Sequence, residues 1–437
     1  MKDNLTFKRG EPIWSNACVG NNGDISYLTY AMGYSKSANL LIDTVLKKNP
    51  TEVDTFIYPI CFNMRHSVEL RLKDLIKDLK EFEKYRKKLP LFDLERSHDL
   101  GKIWSYIKKE IIKLDKRYEK FIQVLDSYII DIAMVDSTGQ IFRYPMSNEN
   151  QKHLVEVNHI NIHTLQKRFK ELEKLLDELN YFNKVVLREY SCGTYTKNLS
   201  RLDILNLAKS LPLINEWRDK LDKKKLKNKF GISGRELSDA INIIKNHYEF
   251  GQFIGIKKNL LYTTIDDLVL FFDIWFENNL GAIKEKSTLG TSFQNDIDRF
   301  ERYQKTENIF SSKYSLNEVL KKININSFIE IRELYYFNTN IENRLGTAYS
   351  ELYIFNLEKQ IKEKIYHYQN EFNNILGTQK AFENILASLY FLGQYEIADL
   401  LQKRYMKIYS LDIGYINNMI FFKKESILEY ENEKKPT

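Results

Sequence analysis

Helix-breaking residues are scarce in this sequence, and that scarcity restricts its fold more than any other feature. Only 17 glycines and 7 prolines occur among 437 residues, whereas leucine, isoleucine, lysine and glutamate are abundant. Glycine and proline are the residues that most destabilise the interior of a helix. The sequence therefore predicts a mainly α protein, and its hydrophobic content of 43% is enough to form the cores of two or three domains.

A stripe of apolar residues at helical spacing marks the segment YPICFNMRHSVELRLKDLI, residues 58–76, and extends a few residues beyond it. At about 100° per residue these side chains fall on one side of a helix. Similar periodicity predicts helices over residues 27–45 and 100–111, further helical structure to about Met134, and a helix over 160–182. The helix over 100–111 has Ser97 as its predicted cap, and its predicted buried side consists of Leu100, Ile103, Trp104, Ile107 and Ile111. The stripe residues of the 58–76 segment are Cys61, Met64, Val68, Leu72, Leu75 and Leu79.

Three charged residues run beside this stripe. Arg65, Glu69 and Lys73 are spaced four apart, so they lie on one helical face and can form a ladder of i,i+4 ion pairs. On a helix surface each such pair adds only a few tenths of a kcal/mol. The alternative is that the same charges belong to a functional site, since active sites also concentrate charged groups.

Two motifs in the N-terminal half resemble those of the HEPN family of nucleotide-binding domains. The long predicted helix carries an aromatic-rich lead-in, the Arg65–His66 pair, Glu69 and a Lys-x-Leu continuation, and the next helix opens with His98–Asp99–Leu100. The resemblance spans about residues 24–182 and implies an antiparallel bundle of helices. It also implies a homodimer formed through the long helices, and a role on RNA or nucleotides in bacterial toxin or anti-phage systems.

Many HEPN proteins are metal-independent ribonucleases, in which an Arg and a His four to six residues further on act together. None of the seven histidines of this chain follows an Arg at that distance. A divergent site could be built from Arg65, Glu69, His98 and Arg143 if the helices pack antiparallel. Imidazole can take the proton of a 2′-hydroxyl, and guanidinium can bind the phosphate. The competing hypothesis is a non-catalytic, all-α interaction scaffold with a degenerate HEPN-like domain.

The C-terminal half shows capped helices without a recognisable site. The segment ASLYFLGQYEIADLLQKRY, residues 387–405, resembles one tetratricopeptide unit, although an ordinary α-hairpin with a turn at Gly393 explains it equally well. Such hairpins are a candidate surface for a protein partner. We predict three domains: residues 1–186 as the HEPN-like bundle, 187–340 as a helical middle domain and 341–437 as C-terminal hairpins.

Other chemistries lack their sequence motifs. The chain contains no glycine-rich nucleotide loop and no HExxH or paired-cysteine zinc motif, so the sequence predicts neither a cofactor nor a metal site. The longest apolar run, LVLFFDIWF at 268–276, is far shorter than a membrane span. With 3 scattered cysteines and a net charge of +7, the sequence predicts a cytoplasmic protein that tolerates an RNA partner.

Overall fold

The prediction of a mainly α protein is confirmed. The computed structural model describes residues 4–23, 26–47, 50–86, 88–146, 151–288, 316–344, 349–363, 368–378 and 380–405. Helices dominate these ranges, which contain no β-strand and only one isolated bridge, between Met146 and Lys152. None of the helices within them is long and apolar enough to cross a membrane. The chain divides into two compact units, residues 1–188 and 189–437.

The first unit is built from five long helices. α1 and α2 pack along each other, α3 packs against α2, and α4 packs against α3. The fifth helix contacts α1 through Gln166, whose amide donates to Asp43 at 3.0 Å, and α4 through Arg168, which pairs with Asp131 at 2.7 Å. The helices are α1 (Tyr27–Lys47), α2 (Val53–Glu81), α3 (Leu100–Leu114), α4 (Glu119–Val135) and α5 (Ile162–Ser191).

The apolar stripe of α2 forms the core of this unit as predicted. Val68, Leu72 and Leu79 are fully buried, and Cys61, Met64 and Leu75 are at most 6% exposed. Pro59 lies inside the helix as its seventh residue. The segments around Val68 and Ile103 are neighbouring helices, because α2 packs against α3.

The start of α3 differs from the prediction that Ser97 caps it. The capping residue is Asp99, whose carboxylate accepts a hydrogen bond from the Lys102 backbone N–H at 3.0 Å. A carboxylate satisfies a free N–H at a helix start and also interacts favourably with the helix dipole. The Leu100 N–H donates to the Ser137 carbonyl at 2.8 Å, so the start of α3 is joined to the loop that follows α4.

The second unit contains two apolar cores. Helices α6, α8, α9 and α10 enclose one of them, and the helices from α11 onward share the other, whose residues come from both sides of the predicted boundary at 340. The three predicted domains stay a prediction. The helices are α6 (Arg201–Ser210), α7 (Trp217–Lys220), α8 (Lys223–Phe230), α9 (Gly234–Asn246), α10 (Tyr248–Phe253), α11 (Ile265–Thr288), α12 (Leu316–Val319), α13 (Ile325–Arg344), α14 (Ser350–Glu363), α15 (Tyr368–Gly377), α16 (Ala381–Phe391) and α17 (Tyr395–Tyr405).

A buried carboxylate fixes the loop before α11. Glu330 is fully buried, and its two oxygens accept hydrogen bonds from the backbone N–H groups of Leu261, Tyr262 and Thr263 at 2.7–2.9 Å. One of the oxygens also accepts the Tyr353 hydroxyl at 2.8 Å. Each lone pair used here satisfies a donor that would otherwise be unpaired, so Glu330 is a structural residue.

The C-terminal hairpin has the simple geometry of an α-hairpin. α16 and α17 are joined by a turn in which Gly393 has φ +72°, a conformation that favours glycine. Ala398 is fully buried where the two helices pack. These features fit the predicted hairpin, and its likeness to a tetratricopeptide unit stays a prediction.

Candidate functional site

One carboxylate in the first unit collects four nitrogen-bearing side chains. Glu69 is 2% exposed and pairs with Arg65 and with Lys73, whose Nζ lies 3.0 Å from Oε1. The predicted ion-pair ladder is therefore present on α2. His98 and His66 also face Glu69, with their Nδ1 atoms 3.0 Å and 3.8 Å from its oxygens. We call these five residues the carboxylate cluster.

The ion-pair ladder within this cluster differs from a surface ladder because it is buried. Arg65, Glu69 and Lys73 are 2%, 2% and 4% exposed, so their charges are screened far less than those of an exposed pair. Removing one partner of a buried pair leaves an uncompensated charge and costs about 3–5 kcal/mol, about tenfold more than the surface estimate.

Arg65 joins three segments of the first unit. Its guanidinium donates to the carboxylate of Glu69, to the carbonyl of His98, to the carbonyl of Asp136 at 3.1 Å and to the carbonyl of Ser137 at 2.6 Å. A guanidinium with these four bonds and 2% exposure is held in place by the protein itself. Arg65 therefore positions the start of α3 and the end of α4 relative to α2. A phosphate group could bind Arg65 only by displacing these backbone carbonyls.

Burial and charge set the ionisation of Glu69 in opposite directions. Burial alone raises the pKa of a carboxyl group, but here hydrogen bonds with His66, Lys73 and His98, together with the charge of Arg65, hold the pKa of Glu69 well below its ordinary value. The carboxylate is thus ionised at neutral pH and can only accept hydrogen bonds.

The ionised carboxylate fixes the tautomer of His98. Because Glu69 only accepts, Nδ1 of His98 carries the proton, and Nε2 is the basic nitrogen of the neutral ring. The side chain of His98 is 61% exposed, so the imidazole lies at the surface of the unit. A buried carboxylate that orients an exposed imidazole is the arrangement of a general base.

Arg143 lies on an exposed surface made mainly of rings. Its Nε donates to the Gly139 carbonyl at 2.6 Å, and its guanidinium stacks over Phe62 at 5.6 Å and over Tyr144 at 5.4 Å. Phe62 in turn stacks on His66, with 5.6 Å between ring centroids and 10° between planes. We call Phe62, His66, Arg143 and Tyr144 the stacked surface.

The stacked surface adjoins the carboxylate cluster. His66 belongs to both sets, and Gly139, whose carbonyl holds Arg143, lies directly against Arg65: a Cβ at Gly139 would be 3.2 Å from Nη1. The structure thus brings Arg65, Glu69 and His98 into direct contact and places Arg143 one residue away. Sequence analysis missed Phe62 and His66 as members of the site, although both lie in the segment it singled out.

A second cluster, in the second unit, has the residue types of a metal site. His247, Glu249 and Glu351 offer ligand atoms within 4.8 Å of one another, and Arg201 lies between the two carboxylates. Burial alone raises the pKa of Glu351, but the charge of Arg201 and a hydrogen bond with His247 hold it well below the usual value. This cluster was not found by sequence analysis, because its members are spread over 150 residues.

The hydrogen bonds of His247 argue against a metal ion there. Its Nδ1 accepts the backbone N–H groups of Glu249 and Phe250, both at 3.2 Å, so Nε2 carries the proton of the neutral ring. A metal ligand needs an unprotonated nitrogen. Arg201 already pairs with both carboxylates, and the cluster is a buried ion-pair network.

Comparisons with known proteins give no relative for this chain. No protein-family model matches it, and no curated protein and no solved structure does so either. The functional assignment therefore depends on the geometry of the site.

The lowered pKa of Glu69 leads to a prediction on pH and stability. A carboxyl group with a pKa of about 4.3 in the unfolded chain and a lower one in the folded chain stabilises the fold above about pH 4.3. That stabilisation decreases as the pH falls toward the folded pKa. In Glu69→Gln we expect lower stability at pH 7 and a weaker decrease between about pH 5 and 3.

Chemical unfolding followed by circular dichroism at a series of pH values measures this effect. Glu119→Gln, at the start of α4, serves as the control, because Glu119 is exposed and lies outside the carboxylate cluster. A Glu69→Gln variant whose stability follows the same pH curve as the wild type would contradict the assignment.

Proposed function

We propose that the first unit is a HEPN-like domain that acts on RNA or a nucleotide at His98 and the stacked surface. The main support is the pairing of a buried carboxylate with an exposed imidazole, since the Nδ1 of His98 lies 3.0 Å from Glu69 and its ring is 61% exposed. The resemblance of residues 58–104 to HEPN domains, with their role in bacterial toxin and anti-phage systems, motivates RNA as the substrate class.

The proposed chemistry is cleavage of RNA without a metal ion. Nε2 of His98 takes the proton of a ribose 2′-hydroxyl, and the 2′-oxygen attacks the adjacent phosphorus. The bond from phosphorus to the 5′-oxygen breaks, and this oxygen takes a proton from water, which leaves a 2′,3′-cyclic phosphate and a 5′-hydroxyl. Arg143 binds the phosphate, and Phe62 and Tyr144 stack with bases, as aromatic and guanidinium planes do in single-stranded RNA recognition.

In this proposal Arg65 and Glu69 are positioning residues. Glu69 holds the tautomer and orientation of the imidazole, and Arg65 holds Glu69 and the backbone of His98. The proposal thus assigns the phosphate contact to Arg143, whereas Arg65 acts only through Glu69 and the His98 backbone. It differs from the family arrangement, in which an Arg and a His of one short motif act together.

The test is a cleavage assay with mixed-sequence, single-stranded RNA in the presence of EDTA. We expect wild-type protein to yield cyclic phosphate ends, and His98→Ala to lower the rate about a hundredfold or more, as expected for loss of a general base. Arg143→Ala is expected to weaken cleavage as well. The exposed His159→Ala serves as the histidine control and should cleave at the wild-type rate.

A non-catalytic interaction scaffold is the second candidate function. It is supported by Arg65, whose four hydrogen bonds make the carboxylate cluster a means of joining helices. Intact RNA with wild-type protein, combined with wild-type melting of His98→Ala, would favour the scaffold. Cleavage that survives in His98→Ala would contradict the proposed role of that residue.

A further inference from the structure

Two helices of the second unit are joined by a three-residue turn with a defined geometry. Gly231 follows the last residue of α8 and has φ +65° and ψ +35°, and the N–H groups of Gly231 and Ile232 both donate to the Lys227 carbonyl. Ser233 then caps α9, because its hydroxyl accepts the Glu236 backbone N–H at 3.2 Å. The glycine and the cap fix the path of the chain between the helices.

The inner sides of these helices pack with α6 in one core. Leu226 of α8, Ile232 of the turn and Leu237 of α9 are at most 8% exposed in this core. From α6, Leu202 and Leu205 complete it. A helix, a short turn with glycine and a second helix, supported by a third helix, is the architecture of a helix-turn-helix motif.

The outer side of α9 is polar and open to solvent. Arg235, Ser238, Asp239, Asn242 and Asn246 are exposed and recur at steps of three and four, so they lie on one face of the helix. Glu236 does not belong to this face, since its carboxylate accepts hydrogen bonds from the segment before α6. The face offers side chains that donate and accept hydrogen bonds at base edges.

Positive charge is concentrated on the same part of the chain. Residues 209–245 contain ten basic and five acidic residues. This surplus of five positive charges is most of the net charge of +7 of the whole chain. Lys223, Lys224, Lys225 and Lys229 of α8 are exposed, although Lys229 donates to the Ser210 hydroxyl at 3.0 Å. Within the basic run 220–230, residues 223–230 form α8, which Leu226 anchors in the core.

We propose that α8, the turn 231–233 and α9 form a helix-turn-helix that binds double-stranded DNA. α9 enters the major groove with Arg235 and Asn242 at base edges, and the lysines of α8 contact phosphates. The B-form major groove admits a helix, whereas that of double-stranded RNA is too narrow. A membrane surface is disfavoured, because the exposed face of α9 has no apolar side chains to insert. This binding is separate from the RNA chemistry proposed for the first unit.

The first experiment measures affinity with the full chain. Fluorescence anisotropy follows binding to a labelled, mixed-sequence duplex of about 30 base pairs, roughly three helical turns, at several salt concentrations. We expect Lys223→Ala combined with Lys224→Ala to weaken binding about tenfold. The slope of the logarithm of affinity against the logarithm of salt concentration should decrease in magnitude by about 2, because each lysine contacts one phosphate. The exposed pair Lys321→Ala and Lys322→Ala loses the same charge elsewhere in the second unit and should bind as the wild type does.

The second experiment measures sequence preference by selection from a random duplex pool. The wild type should enrich a defined sequence, and Arg235→Ala combined with Asn242→Ala should lose about tenfold or more of that preference while melting normally. Three results would overturn the proposal: no binding to duplex DNA, equal effects of the two lysine pairs on duplex binding, or tighter binding to phosphatidylserine vesicles than to duplex. Binding of single-stranded RNA that the Lys223→Ala and Lys224→Ala substitutions weaken more than duplex binding would also overturn it.

Discussion

Leu72→Asp is expected to unfold the first unit under conditions in which the wild type is stable. Leu72 is fully buried at the centre of the α2 stripe, so the substitution places an unpaired charge in the core. The cost is about 4 kcal/mol or more, which corresponds to a decrease of about 10 °C or more in melting temperature. Thermal unfolding followed by circular dichroism measures the change.

The matched control is Lys77→Asp on the same helix. Lys77 is exposed, one and a half turns further along α2, and the same new side chain there meets solvent. We expect its melting temperature to stay within a few degrees of the wild type, since exposed substitutions change stability by about 0.5 kcal/mol. Similar melting of the two variants would mean that the buried side of α2 is assigned wrongly.

Glu330→Ala is expected to have an effect of the same size on the second unit. The substitution removes the acceptor of three backbone N–H groups and of the Tyr353 hydroxyl in a buried place. An unsatisfied buried donor costs about 1–3 kcal/mol, and water that enters the space left behind recovers part of it. We expect a loss of about 3–5 kcal/mol in the free energy of unfolding, measured by urea denaturation.

Two comparisons make this prediction specific. Glu358→Ala removes an exposed glutamate from α14 of the same unit and should leave the denaturation midpoint unchanged. Hydrogen exchange of Leu261, Tyr262 and Thr263 should accelerate in Glu330→Ala, because their N–H groups lose their acceptor. Unchanged exchange at these three positions would show that Glu330 does not hold the loop.

The sequence was informative about helices because apolar periodicity reports directly on the buried side. The stripes of α2 and α3 were predicted residue by residue, and every predicted member is buried. Caps were less predictable, since Ser97 and Asp99 are both good capping residues and only the packing of α3 decides between them. The Ser233–Glu236 pair shows the same limit: Ser233 caps α9, but the carboxylate of Glu236 binds Thr196 and Asn198 instead of completing a capping box.

The candidate site was predictable only in part. The spacing of Arg65, Glu69 and Lys73 gives their pairing, because i,i+4 neighbours meet on any helix. Their burial does not follow from spacing, since it depends on the loops after α4 and before α3. The contact of His98 with Glu69 was reached through the resemblance of the segment to HEPN domains, and the stacking of Phe62 with His66 and Arg143 is visible only in three dimensions.

Gly139 has a consequence for how sequences related to this one can vary. Its φ of +78° favours glycine, and a Cβ there would meet the Arg65 guanidinium at 3.2 Å. A larger residue at position 139 is therefore strained by its backbone conformation, and it also meets the guanidinium that joins three segments of the first unit. We expect descendants of the same ancestor that keep Arg65 to keep glycine at position 139, although 74 residues separate the two positions in the chain.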